Sequence, residues 1–351
     1  MNEFPEIALS VDELSVFYGD NKVLEQLSLK VLANEILCLL GQSGSGKTTV
    51  LKAVAGLLPL QYGTISIGEE IISSVDTVLA ADKRGIGIIF QDYALFPHMT
   101  VLENICYGIK EPKQQAELSA KSLLELVKMA GYDGSYPHEL SGGQQQRIAI
   151  ARALAIEPKI LLLDEPFSNV DHNLRQQLMA DIRQILKARN VAAIFVTHNK
   201  AEAFAFADKL AFMEGGKIVQ TGTAEFLYLH PCSAALAESM GQGNWLDVQV
   251  LDQRRIMSNI LGEILSTKQH GFEKGQKCRQ FIRFNQLAIS GDDTGSAKVI
   301  DSVFNGENYL CTLTINKTIL VVNLALAQKI SVGDTVSVTV LPHAAILFDG
   351  Q

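Results

Sequence analysis

A glycine-rich segment that ends in a lysine and a threonine carries the clearest chemistry in this chain. Residues Gly41 to Thr48 read Gly-Gln-Ser-Gly-Ser-Gly-Lys-Thr and fit the pattern G-x-x-x-x-G-K-[ST]. Its glycines let consecutive backbone N–H groups turn inward around phosphate oxygens. Lys47 would place its charge on the β- and γ-phosphates, and the Thr48 hydroxyl would bind Mg²⁺. The predicted nucleotide-binding residues are Gly41, Ser43, Gly44, Ser45, Gly46, Lys47, Thr48 and Thr49.

Two elements must position this loop. Glu35–Leu40 is an apolar run typical of a buried strand, and Lys47–Gly56 predicts a helix whose N-terminus faces the phosphates. This context favours a phosphate-binding loop over a glycine-rich turn with a chance lysine.

Two adjacent carboxylates end a second apolar strand. Ile160–Leu163 is followed directly by Asp164 and Glu165. We expect Asp164 to reach Mg²⁺ through a water, and Glu165 to orient and polarise an attacking water. Because the chain also contains a phosphate loop, we favour this interpretation over a strand that merely ends in an acidic turn.

A second anion-binding segment lies at Leu140-Ser-Gly-Gly-Gln144. Ser141 would cap the helix that follows, and Gly142 and Gly143 would leave backbone N–H groups free at the positive end of its dipole. One nucleotide does not need two such sites in one subunit. We therefore expect this segment to serve a nucleotide held by a partner subunit.

Composition bounds the class of protein. The 351 residues predict about two domains. A formal net charge of −8 argues against a general nucleic-acid binder, so no nucleic-acid partner is expected. The N-terminus lacks the features of a signal peptide and no apolar run is long enough to span a bilayer, which predicts a cytosolic or peripheral protein. The five scattered cysteines predict reduced thiols without a zinc site or disulfide framework.

The first part of the chain alternates apolar strands with helices, which predicts a mostly parallel sheet covered on both faces. Its predicted strands are Ile7–Val16, Leu27–Val31, Glu35–Leu40, Gly63–Ile67, Ile86–Phe90, Ile160–Leu163 and Ala192–Val196. Its predicted helices are Lys47–Gly56, Ala116–Met129, Gly142–Ala155, Leu174–Arg189 and Lys200–Ala207.

The pattern changes near Gly241, after which short β-type runs separated by turns predict a small β-barrel with an oligonucleotide-fold (OB-like) topology. These runs are Asp247–Leu251, Cys278–Phe284, Gln286–Ser290, Ala297–Phe304, Asn308–Ile315, Thr318–Leu324, Thr335–Val340 and Ala345–Phe348. The expected domains are therefore residues 1–238 and 239–351. The second is either a regulatory, dimer-stabilising module or a packed cap.

The phosphate loop, the Leu140–Gln144 segment and the acidic strand end at Asp164–Glu165 follow one another along the chain in that order. In type and order they resemble motifs of the ATP-binding subunit of an ATP-binding cassette (ABC) transporter. The resemblance implies an α/β P-loop NTPase fold, with a RecA-like core, a helical subdomain at about residues 92–140 and an antiparallel β subdomain. It implies ATP and Mg²⁺ as cofactors. It also implies a head-to-tail dimer, in which each ATP lies between the phosphate loop of one copy and the Ser141–Gln144 segment of the other.

The resemblance carries further roles to individual residues. Tyr18 matches the aromatic residue that stacks on adenine, and Gln91 matches the glutamine that reaches Mg²⁺ and the attacking water. Asp171 matches an aspartate that acts across the dimer interface, although Ser168-Asn-Val-Asp171 departs from the commoner Ser-Ala-Leu-Asp. His198 matches the histidine on the γ-phosphate, and Asn199 after it is expected only to cap a helix. The implied roles are catalysis for Glu165, His198 and Gln91, Mg²⁺ binding for Thr48, Gln91 and Asp164, and ATP binding for Tyr18, Ser141, Gly142, Gly143, Gln144 and Asp171.

A cassette followed by a β-barrel resembles importer ATPases for maltose, sulfate, molybdate, polyamines and ferric iron. Phe281–Ser290 and Ala345–Gly350 resemble the ferric-iron type. This implies a peripheral protein on the cytoplasmic side of a bacterial inner membrane, where it would energise permease subunits and, indirectly, serve a periplasmic solute-binding protein. Sulfate, polyamine, phosphonate or sugar import are alternatives, and a soluble ABC ATPase of DNA repair or ribosomes is a more distant one.

An apolar stretch after Gln91 is a candidate seat for the permease. It comprises Tyr93-Ala-Leu-Phe-Pro97 and Met99. Core packing of the helical subdomain is the alternative interpretation, and some of these residues could do both.

Overall fold

The structure is a computed structural model that describes residues 6–328 and 330–350; the side chains of His172 and Asn173 are not described. The described residues group into two compact units, within Met1–Ala224 and Glu225–Gln351. The domain boundary expected from the sequence, between residues 238 and 239, stays a prediction.

A six-stranded sheet forms the centre of the first unit. Its strand order is β10-β9-β3-β8-β7-β6, and all neighbours are parallel except the antiparallel pair β9 and β10. These strands are β3 (Ile36–Gly41), β6 (Ile86–Ile89), β7 (Ile160–Asp164), β8 (Ala192–Val196), β9 (Lys209–Glu214) and β10 (Lys217–Gly222). All five residues of β8 are buried, as expected for a parallel strand covered on both faces.

A second, antiparallel sheet lies in the same unit. Its order is β2-β1-β4-β5, formed by β1 (Ile7–Tyr18), β2 (Asn21–Leu32), β4 (Tyr62–Ile67) and β5 (Glu70–Ser73). Side chains of both sheets share one hydrophobic core with the helix that follows the phosphate loop, including Leu9, Val50 and Ile194. This sheet is the antiparallel β subdomain expected from the sequence.

Six α-helices lie among the described residues of the first unit. They are α1 (Lys47–Ala55), α2 (Val101–Cys106), α3 (Lys113–Leu126), α4 (Gly142–Leu154), α5 (His172–Ala188) and α6 (Lys200–Phe206). The helix predicted over Ala116–Met129 ends at Leu126 instead, because Lys128 takes a left-handed conformation with φ 60°. The helices α2, α3 and α4 pack together as the helical part of the fold.

The second unit is built on two antiparallel sheets that enclose one hydrophobic core. The short helices α7 (Ala224–Leu229) and α8 (Ala234–Met240) precede its strands. One sheet has the order β13-β12-β11-β14-β20 and the other β15-β19-β16-β17-β18. The strands are β11 (Gly243–Val250), β12 (Arg255–Ser258), β13 (Gly262–Leu265), β14 (Lys277–Arg283), β15 (Leu287–Gly291), β16 (Ala297–Phe304), β17 (Asn308–Ile315), β18 (Thr318–Ala325), β19 (Thr335–Val340) and β20 (Ile346–Asp349).

Every strand expected here from the sequence is present, and the hairpin of β12 and β13 was missed. Among the described residues, no helix combines the length and the apolar character that crossing a membrane requires.

Candidate nucleotide site

The phosphate loop lies where strand β3 turns into helix α1. The strand ends at Gly41 and the helix begins at Lys47. Gly46 precedes the helix with φ 99°, and a Cβ atom there would lie 2.6 Å from Leu24 Cδ2. Glycine is therefore required at Gly46 both for its backbone conformation and for the close approach of β2.

Lys47 points back into the loop that precedes it. Its Nζ donates hydrogen bonds to the carbonyl oxygens of Gly41 and Gln42, both at 2.9 Å, and lies 3.4 Å from Ser45 Oγ. Burial lowers the pKa of Lys47, and the nearby Glu165 carboxylate opposes that shift. The ammonium group is thus held inside the loop, where a phosphate would be bound. The exposed Ser43 and Gly44 form the outer part of the loop, while Thr49 is buried in α1.

Thr48 and Asp164 bring two oxygen donors together beside the loop. Thr48 Oγ1 donates to Asp164 Oδ1 at 3.3 Å, across 116 residues of sequence. Burial raises the pKa of Asp164; the Thr48 hydrogen bond lowers it in part, and the Glu165 carboxylate raises it further. A carboxylate that is costly to ionise in the ligand-free protein is one that a divalent cation would stabilise.

Glu165 and His198 face each other at the ends of β7 and β8. Glu165 adopts φ 45°, and its N–H donates to the Val196 carbonyl at 3.0 Å. His198 Nδ1 lies 3.2 Å from Glu165 Oε1, and the histidine side chain is 69% exposed. A left-handed backbone conformation is uncommon for glutamate. The strained turn at Glu165 therefore fixes the direction in which its carboxylate points.

Gln91 is linked to the site indirectly. It is exposed just beyond β6, and its carbonyl accepts a hydrogen bond from Asn169 Nδ2 at 3.1 Å. The Asn169 carbonyl in turn lies 2.5 Å from where a Cβ of Gly142 would stand, so only glycine fits there. Gln91, the segment after Glu165 and the start of α4 therefore meet at one point.

The segment Ser141–Gln144 caps α4 as predicted. Ser141 N donates to Gln144 Oε1 at 2.9 Å, and Gln144 N donates to Ser141 Oγ at 3.4 Å, which is a reciprocal capping box. Gln144 Nε2 also donates to Tyr132 at 3.1 Å. Gly143 follows Gly142 in the first turn, where backbone N–H groups have no partner inside the helix.

Tyr18 and Asp171 complete the predicted set. Tyr18 ends β1 with 47% of its surface exposed, and Asp171 is exposed immediately before α5. In the described part of the chain, no side-chain hydrogen bond joins Tyr18 or Ser141–Gln144 to the phosphate loop. The structure thus brings Lys47, Thr48, Asp164, Glu165 and His198 into one cluster, and leaves Tyr18 and the Ser141 segment as separate surfaces.

Two charged residues near this cluster were not found from the sequence. Glu202 is buried, and its carboxylate accepts hydrogen bonds from Arg175, Thr197 and Asn199. A glutamate four residues after His198 was the only available signal, because Arg175 is distant in sequence. Asn199 does cap α6, accepting a hydrogen bond from Ala201 N at 2.9 Å, which confirms the prediction of local capping.

The chain matches one family model and is similar to known import ATP-binding proteins. Residues 24–168 match the family model described as ABC transporter. The chain is 36% identical over 341 residues to the spermidine/putrescine import ATP-binding protein PotA of Borreliella afzelii, covering 95% of this chain and 96% of that protein. It is 44% identical over 299 residues to the Fe(3+) ions import ATP-binding protein FbpC 1 of Pectobacterium atrosepticum, covering 83% and 82% respectively.

A solved structure is similar to part of the chain. The cbiO1 protein of Clostridium perfringens, described as part of the ABC transporter complex cbiONQ, aligns with a TM-score of 0.56 and 26% sequence identity. That alignment covers 62% of this chain and 89% of the cbiO1 chain.

Proposed function

We propose how this chain works from one established premise: the chain belongs to the ABC transporter family, among its ATP-binding import proteins. Members of this kind are ATPases whose hydrolysis is coupled to transport. The observation that supports the site assignment is the cluster of Lys47, the Thr48–Asp164 pair and the Glu165–His198 pair at the carboxyl ends of parallel strands. Ligands of open α/β sheets bind at this edge.

ATP would be held by the loop from Gly41 to Thr49. The loop presents backbone N–H groups and the N-terminus of α1, and Lys47 supplies a positive charge already directed inward. Tyr18 would stack on the adenine from the exposed end of β1. Lys47 would exchange its bonds to the Gly41 and Gln42 carbonyls for bonds to phosphate oxygens.

Thr48 and Asp164 fit a magnesium ion. Both are oxygen donors, one of them a carboxylate, and Mg²⁺ is commonly held by one or two protein oxygens together with substrate phosphates and water. Gln91 would approach the same position once the segment around it shifts with ATP. When bound, the ion offsets negative charge on the phosphates.

Glu165 and His198 would handle the attacking water. Glu165 is aimed by its left-handed turn and its backbone bond to Val196, so its carboxylate can orient a water and accept a proton. His198, in contact with Glu165, can hold that carboxylate in place and donate to the γ-phosphate. These roles need little covalent chemistry, because phosphoryl transfer depends on positioning and electrostatics.

A second copy of the chain would complete each site. The Ser141–Gln144 segment forms a capped helix start whose side-chain hydrogen bonds do not involve the phosphate loop. In a head-to-tail dimer this segment would bind the ATP held by the partner, and Asp171 would lie at the interface. Hydrolysis would then depend on dimer closure.

Ferric iron is the proposed cargo. The ferric-iron relative is 44% identical and the polyamine relative 36% identical, although the polyamine relative matches over more of the chain. Polyamine, sulfate, phosphonate and sugar import remain alternatives, because an ATPase on the cytoplasmic side of the membrane does not need to bind the cargo. A periplasmic solute-binding protein would deliver it to the permease.

The permease subunits would dock beside Phe96. Asn104, fully buried, accepts from Phe96 N at 2.8 Å and donates to the carbonyls of Phe96, Met99 and Thr100. This shapes a loop whose Pro97 is exposed, whereas Tyr93 is buried and belongs to the core. Pro97 is therefore accessible to a permease subunit, whereas Tyr93 is not.

Replacement of Glu165 tests the assignment of the catalytic site. We expect Glu165→Gln to bind ATP normally, to hydrolyse it about 10² to 10⁴ times more slowly and to accumulate as a closed dimer. Glu125→Gln, which changes an exposed carboxylate on α3, is the matched control. Unchanged turnover in Glu165→Gln would rule out its catalytic role.

Cell fractionation would separate a transporter subunit from a soluble ABC ATPase. We expect this chain to be recovered with the inner membrane and to be released from it by a chaotrope.

A further inference from the structure

A buried ion pair joins α5 to α6 behind the catalytic cluster. Arg175 NH1 lies 3.0 Å from Glu202 Oε1, and only 5% of the Glu202 side chain is exposed. An isolated buried carboxylate is costly, and so it persists only where partners surround it. The partners of Glu202 are of interest because they flank two different segments of the proposed site.

On one side, Glu202 holds both neighbours of His198. Thr197 Oγ1 donates to Glu202 Oε2 at 2.6 Å, and Asn199 Nδ2 donates to Glu202 Oε1 at 3.3 Å. The Thr197 hydroxyl also accepts a hydrogen bond from Asn199 N at 3.0 Å. The backbone that carries His198 is therefore anchored before and after the histidine.

On the other side, Arg175 holds the segment that carries Asp171. Arg175 NH2 donates to the Val170 carbonyl at 2.9 Å, and Arg175 N donates to the Asp171 carbonyl at 3.0 Å. The planar guanidinium can make the bond to Val170 and the bond to Glu202 at once, which a lysine cannot reproduce.

An aromatic cluster supports the same connection. Phe167, Phe195 and Phe206 are fully buried and meet edge to face, with ring centroids 5.1 to 5.8 Å apart. Phe167 lies between Glu165 and Asp171, Phe195 lies in β8 before His198, and Phe206 ends the helix that carries Glu202. The segments around Asp171 and His198 are thus joined by packing as well as by charge.

We propose that Arg175 and Glu202 are positioning residues that couple the Asp171 segment to His198. The inference rests on the proposed function, in which Asp171 meets the partner subunit and His198 acts on the γ-phosphate of its own ATP. Contact with the partner at Asp171 then fixes Val170, Arg175 and Glu202, and through them the direction of His198. In this way one site of the dimer senses whether the other is closed. Glu202 touches no reacting atom in this scheme, and its effect is on the placement of His198.

The test compares Glu202→Gln with a matched buried carboxylate. Glu35 is similarly buried and paired, with Oε1 2.7 Å from Lys209 Nζ, but it lies before β3, at the opposite end of that strand from Gly41. Both variants would be purified as full-length chain, and each would be assayed for ATP affinity, kcat, KM and the Hill coefficient for ATP. Assays would be run well below each variant's Tm, so that loss of folded protein does not contribute.

We expect Glu202→Gln to lower kcat by about 10- to 100-fold with KM and ATP affinity within about twofold of wild type, since a small misplacement of a catalytic group has this effect. Its Hill coefficient should fall toward one. Glu35→Gln should keep the wild-type kcat and Hill coefficient. Equal kcat in the two variants would overturn the proposal.

Arg175→Lys provides a second variant in case Glu202→Gln does not fold. Lysine keeps the charge opposite Glu202 but loses the fork that also reaches Val170. We expect the same direction of change in kcat and Hill coefficient, and wild-type values would overturn the coupling. Absence of ATPase activity in the wild-type chain would instead contradict the proposed function. This inference alone would be rejected if the wild type is active, Glu165→Gln is inactive and Glu202→Gln behaves like Glu35→Gln.

Discussion

Asp181 offers the sharpest prediction about how α4 is held in place. This aspartate of α5 accepts hydrogen bonds from Arg147 of α4 and from Lys128, both at 2.8 Å, and from Gln177 at 2.9 Å. Arg147 also donates to the Val127 carbonyl at 3.0 Å. Asp181 thus ties the helix that begins with the Ser141 segment, and the end of α3, to the α/β core.

The contribution of Asp181 to the folding free energy follows from its pKa. Burial raises that pKa, but the hydrogen bonds from Lys128, Arg147 and Gln177 outweigh burial and lower it from 3.8 to about 2. A difference of this size corresponds to about 2 kcal/mol of folding free energy. Because the folded pKa is the lower one, this stability is present above the ordinary pKa of 3.8 and is lost as pH falls through about 2.

Asp181→Asn should therefore lower the free energy of unfolding by about 2 kcal/mol or more at pH 7, because it also leaves Arg147 without its carboxylate. For a unit of this size the corresponding drop in Tm is about 4–8 °C. Urea unfolding followed by circular dichroism at the helix band measures it, with the exposed Asp82→Asn as control. A difference between the two variants near zero at pH 7, or one that does not shrink at acid pH, would refute this reasoning.

Three further predictions concern the nucleotide site and α1. Lys47→Ala should lose most of its ATP affinity, and normal binding by calorimetry would contradict its role at the phosphates. Because burial raises the pKa of Asp164, its ionised form costs stability once pH exceeds its ordinary value of 3.8. Asp164→Asn should therefore raise the Tm of the ligand-free chain at pH 7 and reduce the Mg²⁺-dependent gain in Tm with ATP, as measured by scanning calorimetry. Arg84 is buried and donates to the carbonyls of Ala53 and Val54 at the end of α1. Arg84→Met should lower the free energy of unfolding by about 1–3 kcal/mol in urea unfolding, because it leaves these buried carbonyl oxygens without a donor, and an unchanged midpoint would show that these bonds add nothing.

Local patterns in the sequence predicted the main elements of the site. The turn from strand to helix at Gly41–Lys47, the acidic end of β7 and the capping box at Ser141 each depend on residues that are close along the chain. Two further elements carry local signals of the same kind. Thr100 and Glu103 form a capping box at the start of α2, and Gly215-Gly216, both with positive φ, turns β9 into β10.

The remaining contacts could not be predicted, because they join residues that are far apart in sequence. Lys128 and Asp181 are separated by 53 residues and Gln91 and Asn169 by 78, so their pairing depends on how whole elements pack. The pair Arg175–Glu202 is closer, at 27 residues, but it requires α5 and α6 to pack together. A single sequence indicates the charge of such residues and does not indicate their partners.

Uptake of radiolabelled ferric iron is the most direct test of the central claim that ATP hydrolysis by this chain energises ferric-iron import. Cells deleted for this chain would be compared for uptake of ferric iron, sulfate and putrescine, with complementation by wild type or by Glu165→Gln. We predict that iron uptake alone is lost on deletion and is restored by wild type but not by Glu165→Gln. Unchanged iron uptake, with another solute lost instead, would contradict the iron assignment and leave the ATPase role intact. Uptake of all three solutes unchanged by deletion would contradict a role in the import of any of them.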